Sequence, residues 1–274
     1  METFDIAVIG LGPGGEHVAN TLAERGLRVL GVERDLFGGE CPYWGCIPSK
    51  MMVRAADALA EARRVPQLAG TVGEVVPQWT PVATRIRDEA TDNWNDHVAV
   101  DRFVGKGGVF VRGTGRIVSR HEVEVDGVHY AVTRGIIVGT GAKAVIPPIP
   151  GLDTVDYWTN RQFVTQPALP ASLVILGGGA IGCEFAQVAA RFGVPVTLVE
   201  AAPRLLALEE PEAGDTLAGV LRAEGVTVHV GVGASRVDPD GSGVAVTLAD
   251  GTIVRAERIL VATGRRSDPS AVGL

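Results

Sequence analysis

A chain of 274 residues, 46% hydrophobic and 21% charged, can bury one large core or two ordinary ones, and two domains are expected. A net charge of −7 with no block of Lys/Arg argues against a nucleic-acid surface and leaves small molecules or other proteins as partners. No apolar run reaches the ~18 residues of a membrane span, and the start Met1-Glu2-Thr3-Phe4-Asp5 is acidic where a secretion signal is basic, so a cytoplasmic protein is expected.

Asp5 to Ile9 reads as a buried strand, Gly10-Leu11-Gly12-Pro13-Gly14-Gly15 opens a helix running to about Arg25, and Arg28 to Glu33 reads as the next strand. In such a βαβ unit the first glycine permits the tight turn, the second lets the backbone approach a pyrophosphate, and the third allows close helix-to-strand packing. The N–H groups at the helix N-terminus hold the phosphates. Glu33, with Arg34 beyond it, closes the second strand where an acid hydrogen-bonds an adenosine ribose.

Cys41 and Cys46 follow in Gly38-Gly39-Glu40-Cys41-Pro42-Tyr43-Trp44-Gly45-Cys46-Ile47-Pro48-Ser49-Lys50. On an ideal helix five residues leave two side chains roughly 140° apart, so bridging them needs a bent or broken turn, which Pro42 and Gly45 supply. A stabilising disulfide over so short a loop removes little chain entropy. Structural zinc wants four ligands, and only Cys183 and His17 stand as further candidates, so no metal site is expected. A reversible dithiol accounts for the pair better. A helical hairpin, roughly Pro48 to Val65 and Thr80 to Val98, comes next. Short alternating segments follow at Gly108 to Arg112, Arg116 to Ser119, His121 to Val125 and His129 to Val132, and then a strand that stops at Thr140-Gly141.

The same order then returns. Ser172 to Leu176 leads into Gly177-Gly178-Gly179-Ala180-Ile181-Gly182, a helix to about Phe192, and a strand Val196 to Glu200. Glu200 follows Gly177 at the spacing at which Glu33 follows Gly10. Segments at Thr227 to Val230, Ala234 to Val237, Val244 to Leu248 and Thr252 to Arg255 precede a strand stopping at Thr263-Gly264, with Arg265 after it. One glycine fingerprint is weak on its own; two in register with strand, helix and acid are specific. The expected fold is α/β, with two Rossmann-like nucleotide-binding domains at 1–152 and 153–274. Each carries a β-meander, and the first also carries the dithiol helix insertion. Cys183 reads as a small core residue. Glu200 favours NADH, because a carboxylate repels a 2′-phosphate; Arg204, four residues on, either meets such a phosphate or lies in an exposed loop.

The Gly-Gly-x-Cys-x4-Cys-Ile-Pro-Ser-Lys run and the duplicated fingerprints resemble the flavoprotein pyridine nucleotide-disulfide oxidoreductases, the family of dihydrolipoamide dehydrogenase, glutathione reductase and mercuric reductase. The resemblance covers Ile6 to Leu274. It implies that Gly10, Gly12, Pro13, Gly14, Gly15, Glu33, Arg34, Gly39, Thr140 and Gly141 bind FAD. It likewise implies that Gly177, Gly179, Ile181, Gly182, Glu200, Thr263, Gly264 and Arg265 bind NAD(H). Cys46 would be the thiol beside the flavin and Cys41 the more reachable interchange thiol; Lys50 and Glu184 resemble an ion pair that the family places near the flavin. The family is homodimeric through a C-terminal interface domain that also donates a His-Glu pair. The present sequence is expected to correspond to the part preceding that domain, and none of its five histidines has the His-Pro context. Pro42-Tyr43-Trp44 and Glu40 depart from the family's usual small and polar residues.

Three functions are compatible with these residues. The first is an NAD(P)H-dependent flavoprotein oxidoreductase passing electrons through the Cys41–Cys46 dithiol to a small-molecule disulfide or related acceptor. The second is a catalytically incomplete nucleotide-binding fragment. The third is a quinone or diaphorase-type reductase in which the dithiol is incidental.

Overall fold

The computed structural model describes residues 1–274, and its backbone packs into two compact units. One comprises Met1–Ile47, Arg87–Lys143 and Arg266–Leu274; the other comprises Pro48–Ile86 and Ala144–Arg265.

In the first unit, β1 (Glu2–Ile9) is followed by α1 (Pro13–Glu24) and by β2 (Val29–Glu33), every residue of which is buried. Strands β3 (Val109–Arg112), β4 (Gly115–Ser119), β5 (Glu122–Val125) and β6 (Val128–Val138) complete a six-stranded sheet of order β3-β2-β1-β6-β5-β4. The segment at 109–112, expected as part of the meander, instead pairs parallel with β2, Leu30 opposite Val109. A parallel neighbour needs a crossover, and α5 (His97–Gly105) supplies it. The fully buried Phe103 of α5 lies where a Cβ on Gly31 or Gly108 would be. Only β4, β5 and the start of β6 form the antiparallel meander. β6 also fuses two expected strands, pairing with β5 at one end and running parallel to β1 along its length. Phe4, Ala7, Ile9, Leu30, Val32, Val123, Val125 and Val132 form the core between meander and parallel strands.

The redox segment forms α2 (Glu40–Tyr43), a single turn, and α3 (Cys46–Leu68). The second arm of the expected hairpin is not one helix. α4 (Thr80–Arg85) passes into a π turn at Ile86–Ala90, and then Asp92, Asn93 and Trp94 take left-handed φ values of 46°, 54° and 56° before α5 begins. Each left-handed non-glycine residue costs about 1–2 kcal/mol. The run is held by the buried Thr91, whose hydroxyl donates to the Arg87 carbonyl (3.1 Å) and accepts from the Trp94 N–H (3.3 Å), while the Asn93 N–H donates to Arg87 O (2.6 Å).

After the two-residue strand β7 (Lys143–Ala144), the second unit repeats the plan. β8 (Tyr157–Trp158), α6 (Asn160–Val164), β9 (Leu173–Leu176), α7 (Ala180–Arg191), β10 (Val196–Glu200), α8 (Pro211–Ala223), β11 (Thr227–Val230) and β15 (Arg258–Val261) build a parallel sheet of order β11-β10-β9-β15-β8. β12 (Ala234–Asp240), β13 (Gly243–Leu248) and β14 (Ile253–Ala256) form the antiparallel sheet that covers it. Leu152, Val174, Leu176, Val199, Val237, Val246 and Ile259 share the core between the two. Here too the first expected meander segment, 227–230, is a parallel edge strand. Residues 48–86 are tied into this unit by Trp79, packed edge-on against Phe192 (5.1 Å) with its indole donating to Gln166 O (2.9 Å). A second tie is the half-buried Arg191, which binds both Asp57 of α3 and Glu224.

Candidate functional site

Both glycine fingerprints sit where the strand order reverses, at the C-terminal end of the central strand, which is where open α/β sheets bind ligands. The two agree atom for atom. Gly10 (φ +89°) and Gly177 (φ +110°) lie so close to the end of the neighbouring strand that a Cβ would strike Gly139 O or Ala262 O. A Cβ on Gly15 or Gly182 would overlap the carbonyl of Gly10 or Gly177 respectively. At Gly12 and Gly179, the N-caps of α1 and α7, a Cβ would meet nothing within 4 Å, and both have extended backbone (φ −66° and −77°) that any residue adopts. The fold therefore requires glycine at the first and third positions but not at the second.

The acids are duplicated as well. Glu33 accepts from Leu11 N–H (2.8 Å) and Asp35 N–H (2.8 Å); Glu200 accepts from Gly178 N–H (2.5 Å) and Ala202 N–H (2.6 Å). Each carboxylate spans the glycine loop and the turn after its strand. Each oxygen keeps a lone pair for a ribose hydroxyl. Pro13 and Gly14 are exposed in the first turn of α1, Ile181 is half-buried in that of α7, and Arg34, Thr140, Gly141 and Arg265 are exposed. Gly141 (φ +65°) and Gly264 (φ +128°) are left-handed after their strands; Thr263 donates to Val145 O (2.8 Å). The features fit a dinucleotide at each fingerprint: a helix N-terminus, a surface that no Cβ fills and an acid at the end of the second strand.

Arg204 is turned away from such a ligand. Its guanidinium donates to the carbonyls of Ala207 (2.9 Å) and Glu209 (2.8 Å), and its Nε is buried with no acceptor.

The redox segment leaves β2 through Phe37-Gly38-Gly39. Gly39 (φ +66°) passes so near Gly12 that a Cβ would lie 2.7 Å from its Cα. The break between the cysteines falls at Trp44 and Gly45. Gly45 is the expected breaker, but Pro42 sits inside the one-turn α2, where a missing N–H costs nothing. All three cysteines are thiols. Cys46 is exposed and Cys41 half-buried, the reverse of the expected order of access, because Cys41 lies within the turn that Gly45 packs against while Cys46 begins a long helix. Lys50 and Glu184 are exposed on α3 and α7, and no ion pair joins them. Cys183 is buried, donates to Gly178 O (3.3 Å) and has its thiol pKa pushed up to about 11, first by burial and then by Glu200 and Glu184. No group of three or more His, Cys, Asp or Glu is placed to hold a metal ion, and no helix is long and apolar enough to cross a membrane.

Several residues around Cys41 escape a reading of the sequence. Asp96, buried just before α5, accepts from the Phe37 N–H (2.6 Å) and pairs with Arg112. The Trp94 indole donates to Tyr43 O (3.2 Å). Tyr43 is itself buried, and its phenol pKa is raised by desolvation and then by the Asp96 and Glu16 carboxylates. The cluster Asp92-Asn93-Trp94-Asn95-Asp96 is a turn signal in its own right.

A family model described as pyridine nucleotide-disulphide oxidoreductase matches residues 4–273. The chain is 35% identical to a mercuric reductase of Streptomyces lividans over 99% of its own length and 58% of that protein. It is 34% identical to a dihydrolipoyl dehydrogenase of Chlorobaculum tepidum, over 99% and 59%. Among solved structures, the Cu(II) complex of the HOCl-induced flavoprotein disulfide reductase RclA of Escherichia coli superposes with a TM-score of 0.86 at 26% identity, covering 99% of this chain and 59% of that one. LpdA of Mycobacterium tuberculosis gives 0.83 at 26% identity, covering 100% and 61%. The chain thus spans about three-fifths of the length of these relatives.

Proposed function

Because the chain belongs to the pyridine nucleotide-disulphide oxidoreductase family, we propose that it carries the two nucleotide sites and the dithiol of an enzyme passing electrons from NAD(P)H, by way of FAD, to a disulfide or related acceptor. The observation that carries this reading is the loop bearing Cys41 resting on Gly12, the glycine whose backbone is left open for a ligand. FAD, held within 1–152, would supply the two-electron chemistry linking a nicotinamide held within 153–274 to the dithiol.

The residues of the chain have separable tasks. α1 and α7 offer N–H groups to the pyrophosphates, and Glu33 and Glu200 take the riboses. In the disulfide-reducing direction, Cys41 Sγ attacks one sulfur of the external disulfide and releases the first thiol. Cys46 Sγ then attacks the Cys41 sulfur, releases the second thiol and leaves the Cys41–Cys46 disulfide. Lys50 and Glu184 are assigned the charged positions near the flavin. NADH is preferred over NADPH: Glu200 opposes a 2′-phosphate, and Arg204 is occupied by its own loop.

The test is an anaerobic NADH titration of the chain supplied with FAD, followed by visible absorbance, alongside Cys46→Ser. Bound flavin, reduced by NADH, with disulfide reduction lost in Cys46→Ser, is the expected result. Undiminished disulfide turnover in Cys46→Ser would overturn the dithiol route. A chain that holds no flavin would overturn the first nucleotide site. The mercuric reductase and Cu(II)-bound relatives make thiol-binding metal ions the second acceptor class to assay.

A further inference from the structure

We infer that the turn at residues 91–96 is a positioning device for the dithiol, with Trp94 and Asp96 as its two contacts. This rests on the dithiol reading above. Asp96 takes the Phe37 N–H at 2.6 Å, on the entry side of Cys41. Trp94 gives its indole N–H to the Tyr43 carbonyl at 3.2 Å, on the exit side and between the two cysteines. Tyr43 O is the last carbonyl of the one-turn α2, a group with no helical partner. Arg112 fixes the Asp96 carboxylate, and its guanidinium lies over the Phe110 ring at 4.8 Å. Phe110 in turn packs against Phe37. The turn holds this pose through Asp92, Asn93 and Trp94, three successive non-glycine residues in a left-handed conformation that only a tertiary requirement sustains.

Clamping both ends of 37–43 removes freedom that the segment would otherwise lose when the disulfide closes. The clamp therefore favours the disulfide over the dithiol. The reaction is a two-electron, two-proton exchange: the Cys41 and Cys46 thiols give up both protons and form an S–S bond as oxidised dithiothreitol becomes its dithiol. A neutral hydrogen bond of this kind corresponds to about fivefold in an equilibrium constant, or about 20 mV at 29.6 mV per decade for a two-electron couple.

The test needs neither flavin nor turnover. The full chain is equilibrated without oxygen across ratios of oxidised to reduced dithiothreitol, quenched in acid, alkylated and digested with trypsin. Asp35–Lys50 emerges as one peptide carrying both cysteines. Trp94→Phe, which keeps the ring and loses the donor, is expected to need about fivefold more oxidising buffer at the midpoint. Asp96→Asn should shift the same way, and serves should Trp94→Phe not fold. The control is Trp79→Phe, which loses the same kind of indole bond, to Gln166 O, in the other unit; its midpoint should match the unmodified chain. A Trp94→Phe midpoint within twofold of the unmodified chain, a shift to more reducing buffer, or an equal shift in Trp79→Phe overturns the inference. Failure of the unmodified chain to form the Cys41–Cys46 disulfide in any buffer overturns the dithiol reading itself, and the inference falls with it.

Discussion

Replacing Gly179 with alanine separates what the fold demands from what a ligand demands. The new Cβ has no neighbour within 4 Å, and the backbone is already extended, so no native contact is strained. Gly→Ala at a compatible site gains about 0.4–1 kcal/mol by restricting the unfolded chain, while alanine is a poorer N-cap by a comparable ~0.5–1 kcal/mol. The two offset, and the melting temperature should move by no more than about 2–4 °C for a chain of this size. Nucleotide affinity should behave differently, because the methyl stands between the α7 N-terminus and any pyrophosphate. Losing one charge-assisted hydrogen bond costs about 1.5–3 kcal/mol, a tenfold to roughly 150-fold rise in Kd. Thermal unfolding together with NADH fluorescence titration reads both quantities on the same sample. Gly182→Ala should show the opposite pattern, a clear loss of stability, since its Cβ overlaps Gly177 O. NADH bound by Gly179→Ala within threefold of the unmodified chain, at unchanged melting temperature, would refute the assignment of this surface to a phosphate.

Three further outcomes are expected. Arg204→Ala should lower stability by about 1–3 kcal/mol through its two lost carbonyl bonds while leaving the ratio of NADH to NADPH affinity unchanged; a gain or loss in that ratio would return Arg204 to the binding site. Glu200→Gln sets an amide N–H against a backbone N–H and should weaken NADH binding at least tenfold, checked by the same titration. Cys183 should resist iodoacetamide in the native chain at pH 8 and react once unfolded. Because its folded pKa is raised from 9.0 to about 11, its contribution to stability is complete below about pH 9 and lost as the pH climbs toward 11. Thermal scans from pH 8 to 10.5 should therefore fall less steeply for Cys183→Ala.

The fingerprints were legible because their determinants are local. Gly10, Gly15 and Glu33, like Gly177, Gly182 and Glu200, act within one βαβ unit, so chain spacing already encodes the contact. Val109–Arg112 was misread because its short apolar alternation suits a parallel edge strand and a meander equally well; the choice rests on β2 and on Phe103 from α5. The break after Ala90 carries a local signal in Asp92-Asn93-Trp94-Asn95-Asp96. What that signal leaves open is the partner of the turn, the Tyr43 carbonyl, 51 positions away along the chain. Nothing in the chain spacing singles out Asp96, because its burial depends on the Phe37 N–H and on Arg112. The order of cysteine exposure turned on where Gly45 packs, which spacing does not specify.

The contact between Gly39 and Gly12 has a consequence for how such a chain can evolve. A side chain at Gly39 intrudes on the Gly12 backbone, whereas one at Gly12 meets nothing within 4 Å, so the dependence between the two motifs runs in one direction despite their lying in different stretches of sequence. A lineage that alters its redox loop must preserve Gly39 or reshape the nucleotide turn in the same step. The loop is free to diversify at Glu40 and Pro42-Tyr43-Trp44, and there this chain carries its own residues.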